Sequence, residues 1–202
     1  MMVDRLYYAF VCKRLFGCIQ EIIKCHESIK NIYPKSVNTF RIITYIIENE
    51  VHYCPIIMRI GCGGSVIDNA SAGGIFIALE DDGTLHEYAF TEYCKKFAIH
   101  PDTGVVFKDC KIENLEKVIE TAKRLQYAIP QAGVINWDFT IDESGDPVLI
   151  EANIKNDNSS GSIWLPQMAH GKGAFGNDIE KVLKYIKRAK KSTYTKRKNI
   201  TL

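Results

Sequence analysis

The sequence predicts an α+β fold, an antiparallel β-sheet flanked by helices. Three observations carry that expectation. Runs rich in β-branched and aromatic residues follow one another across short turn clusters, as in Val37 to Ile47 and Val51 to Ile60 around Glu48-Asn49-Glu50. A second pair of runs, Ile135 to Ile141 and Pro147 to Asn153, is joined by Asp142-Glu143-Ser144-Gly145-Asp146, a turn-forming cluster. Residues 113–128 set Leu115, Val118, Ile119, Ala122 and Leu125 at helical spacing, one apolar stripe of an amphipathic helix. This order of elements is that of the α+β class.

The elements follow in chain order. Residues 3–31 read as a helix, with Leu15, Ile19, Ile22, Ile23 and Ile29 spaced along it and Pro34 ending it. Val37 to Ile47 and Val51 to Ile60 are strands, the second carrying Pro55, which places it at an edge or a bulge. Gly61-Cys62-Gly63-Gly64 is a flexible loop. Ile75 to Glu80 and Thr84 to Phe90 form a hairpin around the Asp82-Gly83 turn signal. After the helix at 113–128 and the hairpin at 135–153 come a polar loop from Asn156 to Ser162 and a last helix from about Asn177 to Lys191. No internal repeat or low-complexity linker interrupts the chain.

Composition narrows the class of protein. A chain of 202 residues can bury a real core in one large domain, and 46% apolar with 25% charged residues is ordinary for a globular protein. No apolar run approaches the ~20 residues of a membrane-spanning helix. The short apolar patch Leu6 to Val11 precedes Lys13 and Arg14, the reverse of a secretory signal, so a cytoplasmic location is expected. Seven cysteines at 12, 18, 25, 54, 62, 94 and 110 include no CxxC pair, which points to free thiols rather than disulfides or a cysteine zinc site. The net charge of +2 conceals nine bases and no acid in residues 181–198, leaving −7 on the remainder. A solvated helix face with a basic tail explains this better than a nucleic-acid binder, and no nucleic-acid partner is expected.

The hairpin at 135–153 carries the chemistry. With a four-residue loop from Glu143 to Asp146, Asp142 faces Pro147, Thr140 faces Leu149, Asp138 faces Glu151 and Asn136 faces Asn153. Alternation then gathers Asp138, Glu151 and Asn153 on one face. Two carboxylates directly opposite one another repel unless a cation lies between them. Hard oxygen ligands in that arrangement suit Mg²⁺, which keeps waters and completes its shell with substrate phosphates. The plain alternative is a half-exposed hairpin whose polar face meets water. Ile150 and Ala152, opposite in phase to the polar triplet, favour a site.

Several segments together resemble the ATP-grasp superfamily, and within it the sugar-transfer-associated branch. They are Gln20-Glu21-Ile22-Ile23-Lys24-Cys25-His26-Glu27, Ser36-Val37-Asn38-Thr39-Phe40-Arg41-Ile42, Arg59-Ile60-Gly61, Asp68-Asn69 with Gly73-Gly74, His100-Pro101-Asp102-Thr103-Gly104, and Trp137-Asp138 with Glu151-Ala152-Asn153. They stand in the family's order over roughly residues 19–190. The resemblance implies the C-terminal lobe of the fold, with ATP and Mg²⁺ as cofactors. It assigns metal binding to Asp138, Glu151 and Asn153. Backbone contact to adenine falls to Gln20, Glu21, Ile22 and Ile23, and ribose contact to Glu27. Arg41 and Arg59 are assigned the phosphates and the catalytic stabilisation of charge, for which the guanidinium fork is suited. His100 has two readings, a substrate contact or a structural hydrogen bond.

The resemblance also implies an activity: ATP-dependent ligation of a carboxylate to an amine or related acceptor, linked to surface-polysaccharide synthesis. The partner would be a small-molecule substrate, a carboxylate or a sugar-linked acceptor. One departure qualifies this. The family's N-terminal lobe supplies a glycine-rich loop and a lysine over the phosphates, and only about 19 residues precede the hinge segment here. We therefore expect a remnant helix at 1–19, an ATP-grasp-like domain at 20–191 and a basic tail at 192–202. Little turnover by the chain alone is expected, and an apolar patch at Leu6, Tyr7, Phe10 and Val11 would favour self-association or a partner supplying the missing lobe. The alternative is a catalytically inactive nucleotide- or sugar-binding module, distinguished by binding without turnover. A structural or interaction protein would bind no nucleotide at all.

Overall fold

The computed structural model describes residues 11–12, 15–16, 22–154, 168–171, 173–185 and 187–188. Its centre is an eight-stranded antiparallel sheet. The strands are β3 (Thr39–Ile47), β4 (Glu50–Tyr53), β5 (Ile57–Ile60), β6 (Ile75–Leu79), β7 (Leu85–Phe90), β8 (Lys96–Phe97), β9 (Val134–Ile141) and β10 (Pro147–Asn153). They lie in the order β10-β9-β3-β5-β6-β7-β8, with β4 beside the far end of β3. Long, β-branched β3 is the axis, pairing with β9 on one side and with β4 and β5 on the other.

Besides a register shift between Ile77 and Leu79 of β6 against β7, two irregularities set the register around β3 and β9. The run from Val51 to Ile60 is two strands rather than one. β4 pairs Thr44 with Tyr53 and β5 pairs Arg41 with Ile57, so three residues, 54 to 56, lie opposite two of β3. Pro55 sits in that extra step, where its missing N–H removes no ladder bond. The second is in the β9–β10 hairpin. Beside the turn Pro147 pairs with Ile141 and Leu149 with Phe139, one residue away from the expected register. A bulge between Leu149 and Glu151 then restores the expected pairs, Glu151 with Asp138 and Asn153 with Asn136.

The N-terminal expectation is corrected. Where a continuous helix was expected from residue 3 to 31, Val11–Cys12 (β1) and Leu15–Phe16 (β2) form a short antiparallel pair. Among the described residues of this stretch only Glu27–Lys30 (α1) is helical, N-capped by His26, whose Nδ1 accepts from Ser28 N at 3.3 Å. Val11, Ile22 and Ile23 are β-branched, and an apolar spacing of 3 to 4 over such residues does not outweigh local pairing. Leu6, Tyr7 and Phe10 lie outside the described residues, as do Gln20, Glu21, the loop from Asn156 to Ser162 and residues 189–202. The final helix is present in its described part, 179–185 and 187–188, and its bases Lys181, Lys184, Lys187 and Arg188 are exposed as a solvated face requires.

One sheet face packs on α2 (Leu115–Ala128) and on the segment around α1, burying Phe40, Ile42, Met58, Ile77, Trp137 and Phe139 completely. The stripe of α2 is the expected one, with Leu115, Val118, Ile119 and Ala122 inward. A buried polar chain fixes its seat. Trp137 Nε1 donates to Thr44 Oγ1 at 2.7 Å, Thr44 Oγ1 donates to Gln126 Oε1 at 2.6 Å, and Gln126 Nε2 donates to the Ala132 carbonyl at 2.6 Å. The other face carries two apolar patches covered by the C-terminal segment. Ile43 and Tyr45 meet Val182, and Ile57, Phe76 and Ala78 meet Ala169. Among the described residues no helix is long and apolar enough to cross a membrane. Cys25, Cys54, Cys62, Cys94 and Cys110 are free thiols, and burial pushes that of Cys54 up to about 12.

Thr44→Val preserves shape but strands the Trp137 N–H and the Gln126 carbonyl oxygen in the core. Urea denaturation should show a loss of about 2 to 4 kcal/mol, the combined penalty of two unsatisfied buried groups.

Candidate functional site

Between the two apolar patches of the second face, the sheet carries charge. Arg41 on β3 and Asp138 on β9 are direct cross-strand partners, and Arg59 on β5 stands opposite Thr39. Arg41 grips Asp138 in bidentate fashion, Nε to Oδ1 at 2.8 Å and Nη2 to Oδ2 at 2.7 Å. Arg59 Nη2 lies 3.4 Å from the same Asp138 Oδ2 and 3.3 Å from Asp68 Oδ1, and its Nε donates to Thr39 Oγ1 at 3.0 Å. Asp68 Oδ2 closes the group by accepting from the backbone N and the hydroxyl of Thr39. Two buried acids and two largely buried arginines thus alternate across the sheet with no net charge.

The electrostatics follow from this alternation. Burial works against the Arg41 guanidinium, but the bonds from Asp138 and the fields of Asp138, Asp68 and Glu151 outweigh it, and its pKa is raised. That Glu151 is felt at Arg41 agrees with the register, which sets Glu151 opposite Asp138 and Asn153 opposite Asn136. Burial pushes the Asp68 carboxyl up, against the lowering effect of Arg59 and Thr39. Arg41 matches the charge of Asp138 from the β3 side, while Glu151 faces Asp138 from β10.

The sequence-derived residues within the described part of the chain fall in three places. Arg41, Arg59 and Asp138 converge, with Glu151 exposed and Asn153 half-buried on the neighbouring strand. Ile22 and Ile23 line a cavity of about 230 Å³ with Lys24, Asp142, Glu143, Ser144 and Val148, at the turn of the β9–β10 hairpin. Glu27 lies apart from this group. It lines a different cavity of about 700 Å³ with residues that include His26, Cys110 and Glu113.

Asp68 and Thr39 belong to the charged cluster, and their signal was present in the Asp68-Asn69…Gly73-Gly74 and Asn38-Thr39 segments. Gly74 explains the first: a Cβ there would sit 2.4 Å from the Asp68 carbonyl oxygen, so only glycine lets the loop close and aim the carboxylate. Gly61 explains the Arg59-Ile60-Gly61 segment, since a Cβ would meet Ser36 Oγ at 2.4 Å and the Tyr33 ring at 2.6 Å. Asn38 Oδ1 accepts from Gly61 N at 3.1 Å and from Ser36 Oγ at 2.7 Å, locking the start of β3 to the end of β5.

His100 resolves to the structural reading. It is fully buried, stacks on Tyr33 with centroids 5.0 Å apart, and bonds the Gly61 carbonyl through Nε2 at 3.0 Å. A carbonyl only accepts, so Nε2 carries the proton and Nδ1 accepts from the Asp102 and Thr103 amides. Asp102 also receives Gly64 N at 3.1 Å, and Thr103 Oγ1 donates to the Ile32 carbonyl at 2.8 Å. The His100-to-Gly104 segment is a clamp on the glycine loop that follows Arg59.

The residues present fit a Mg²⁺ ion. The available donors are oxygens, from Glu151, Asn153 and the lone pairs of Asp138 that Arg41 leaves, since a carboxylate accepts about four bonds. Asn136 Oδ1, on the same face, is buried without a hydrogen-bond partner among the described residues. An unsatisfied buried oxygen beside acidic oxygens is what a cation or its water would satisfy.

Two outcomes test the cluster. Asp138→Asn removes the buried carboxylate charge that both Arg41 and Arg59 face and should lower unfolding stability by about 3 kcal/mol in denaturant titrations. For His100, burial holds the pKa below its ordinary 6.5, against the opposing pull of the Gly61 carbonyl and Asp102. The neutral ring therefore contributes stability that is complete above 6.5 and is lost as pH falls through the lower folded value. Thermal unfolding followed from about pH 7 to about pH 5 should show this decline, and His100→Gln should flatten that part of the slope.

Residues 6–184 match the family described as sugar-transfer associated ATP-grasp. No curated protein and no solved structure matches the chain. The match runs through every strand of the large sheet and through Arg41, Arg59, Asp68, Asp138, Glu151 and Asn153, so the motif residues and the charged cluster lie inside it. The chain belongs to the sugar-transfer-associated ATP-grasp family.

Proposed function

We propose that this protein binds ATP with Mg²⁺ over the charged face of its sheet and acts as a ligase joining a carboxylate to an amine or related acceptor in surface-polysaccharide synthesis. The observation that carries the reading is the gathering of Arg41, Arg59 and Asp138 beside Glu151 and Asn153. Such a set offers guanidinium donors for phosphate oxygens and carboxylate oxygens for a cation on one surface. The Ile22–Ile23 cavity adds support. Asp142, which lines it, is four residues from Asp138 along the hairpin strand, roughly 13 Å, a span an extended nucleoside triphosphate covers.

In this reading Ile22 and Ile23, with Gln20 and Glu21, hold the adenine. Glu27 would contact the ribose, although it lines a separate cavity here. Glu151, Asn153 and Asp138 hold Mg²⁺, which when bound offsets negative charge on the phosphates. Arg41 and Arg59 orient the terminal phosphate and stabilise charge during transfer to the substrate carboxylate. The incoming amine then attacks the acyl carbon of the acyl phosphate so formed, giving the amide and releasing inorganic phosphate and a proton. Release of Arg41 from its bidentate grip on Asp138 accompanies phosphate binding, because one guanidinium fork cannot serve both partners fully.

That same grip favours a second reading, a module that binds nucleotide or sugar without turnover. Among the described residues the donors come from one sheet face.

Calorimetry with ATP in Mg²⁺ and in EDTA is the direct test. Binding should depend on Mg²⁺, and Glu151→Gln should weaken it about tenfold or more without loss of thermal stability, since the change removes like-charge repulsion with Asp138. No heat with MgATP would remove both nucleotide readings. Release of ADP that requires both a carboxylate and an amine selects the ligase; binding without release selects the module.

A further inference from the structure

A second cluster of metal-ligand residues lies at the β6–β7 end of the same sheet, away from the arginines. β6 ends at Leu79 and β7 begins opposite it at Leu85, with Glu80 N bonded to the Thr84 carbonyl at 2.9 Å. Glu80 and His86 therefore flank one tight turn, and His86 Nε2 lies 2.7 Å from Glu80 Oε1. The third member, His170, arrives from the C-terminal segment whose neighbour Ala169 packs on Phe76 and Ala78. Its ring stands edge-on to that of His86, with centroids 4.9 Å apart. One ligand atom from each of Glu80, His86 and His170 falls within 4.8 Å of the others.

The orientation of His170 is what distinguishes this cluster from a plain Glu–His ion pair. Its Nε2 lies 2.7 Å from the Ile56 carbonyl oxygen, which can only accept. The proton therefore sits on Nε2 and Nδ1 keeps its lone pair. A backbone carbonyl that fixes the tautomer through one ring nitrogen is the usual outer support of a metal-bound histidine. Beside the Glu80–His86 pair, His170 brings a second imidazole within ligand distance, its ring edge-on to that of His86. Glu80 and His170 also line a cavity of about 360 Å³, which leaves space for water or another small ligand at an open position.

We propose that Glu80, His86 and His170 form a metal site, separate from the Asp138 face, that takes Zn²⁺ or another borderline divalent transition ion. Two imidazoles and one carboxylate match the preference of such ions for nitrogen with oxygen, whereas Mg²⁺ prefers oxygen alone. The ion sits where His86 Nε2 and Glu80 Oε1 now face each other at 2.7 Å, and a proton on that nitrogen moves to Nδ1 of the ring or to solvent. Bound there, it ties the segment at 168–170 to the β6–β7 turn and leaves a fourth position for water. The inference does not depend on nucleotide binding or ligase activity.

Co²⁺ is the probe, because its absorption reports ligand type. Titration of the full chain should give one equivalent with weak visible bands and no thiolate-to-cobalt charge transfer. Zn²⁺ should displace it and excess Mg²⁺ should not. His86→Ala and His170→Ala should each abolish this equivalent, and Glu80→Gln should weaken it. Binding that survives both histidine changes, or that carries thiolate charge transfer, assigns the metal to cysteines and overturns the proposal. Should either variant misfold, carbethoxylation of the unaltered protein supplies the answer. Zn²⁺ must protect His86 and His170 from modification, and failure to protect them overturns the site equally.

Discussion

The cross-strand pair of Arg41 and Asp138 is the constraint around which the second sheet face is organised. A carboxylate at 1% side-chain exposure is too expensive to keep in the middle of a sheet unless its charge is matched and its oxygens are bonded. The bidentate guanidinium supplies both. Arg59 then extends the match to Asp68, and Thr39 satisfies the remaining oxygen of Asp68 from β3 itself. Arg41, Arg59 and Asp138 are placed by strand pairing, so a one-residue slip of β3 against β9 would put the acid and the base on opposite faces. Replacement by apolar residues of similar volume would remove the charge compensation problem altogether. The four charges of the buried strip are therefore a poor source of net stability, whatever the cost of removing one of them alone.

The motif residues divide into those that meet the cluster and those that hold it in place. Gly61, Gly74, Asn38 and the His100-to-Gly104 segment touch none of its charged groups, yet they fix the ends of β3 and β5 and the loop that carries Asp68. The two glycines act through close approach: backbone and side-chain atoms occupy the space where a Cβ would go. His100 acts through hydrogen bonding and stacking, with its proton committed to Gly61. A family signature in this chain therefore reads as a small set of charged groups surrounded by a larger set of positioning groups. The Arg-x-Gly segment has one of each.

Bulges have a comparable role. Pro55 lets a single run of apolar residues serve two strands along β3, so that Arg59 comes level with Thr39 while His52 stays level with Tyr45. The bulge after Leu149 shifts β10 by one residue and aligns Glu151 with Asp138. Without it, the pairing set by the turn would put Ile150 opposite Asp138. The expected hairpin register reached the right site pairs through a four-residue loop. The structure reaches them through a tighter turn and a bulge.

Strand and helix periodicity in the sequence by itself determined the α+β class, the strands β3, β6, β7, β9 and β10, and the inward stripe of α2. These elements are long and their patterns repeat, so local chemistry and burial agree. Strand parity also determined that Asp138, Glu151 and Asn153 would share a face once the hairpin was recognised, whereas the pairing of β3 with β9 brought Arg41 to it. Only the tertiary structure decided that Arg41 spends its fork on Asp138, that Asp68 completes the group, and that Glu27 lies at another cavity. It also decided that strands occupy 11–12 and 15–16, where apolar spacing suggested a helix, and that His170 meets Glu80 and His86. The reason is common to all of these. Periodicity reports which way a side chain points within one element, whereas partner choice depends on which strands become neighbours and on the buried polar groups each must satisfy across gaps in sequence too long for any local pattern to record.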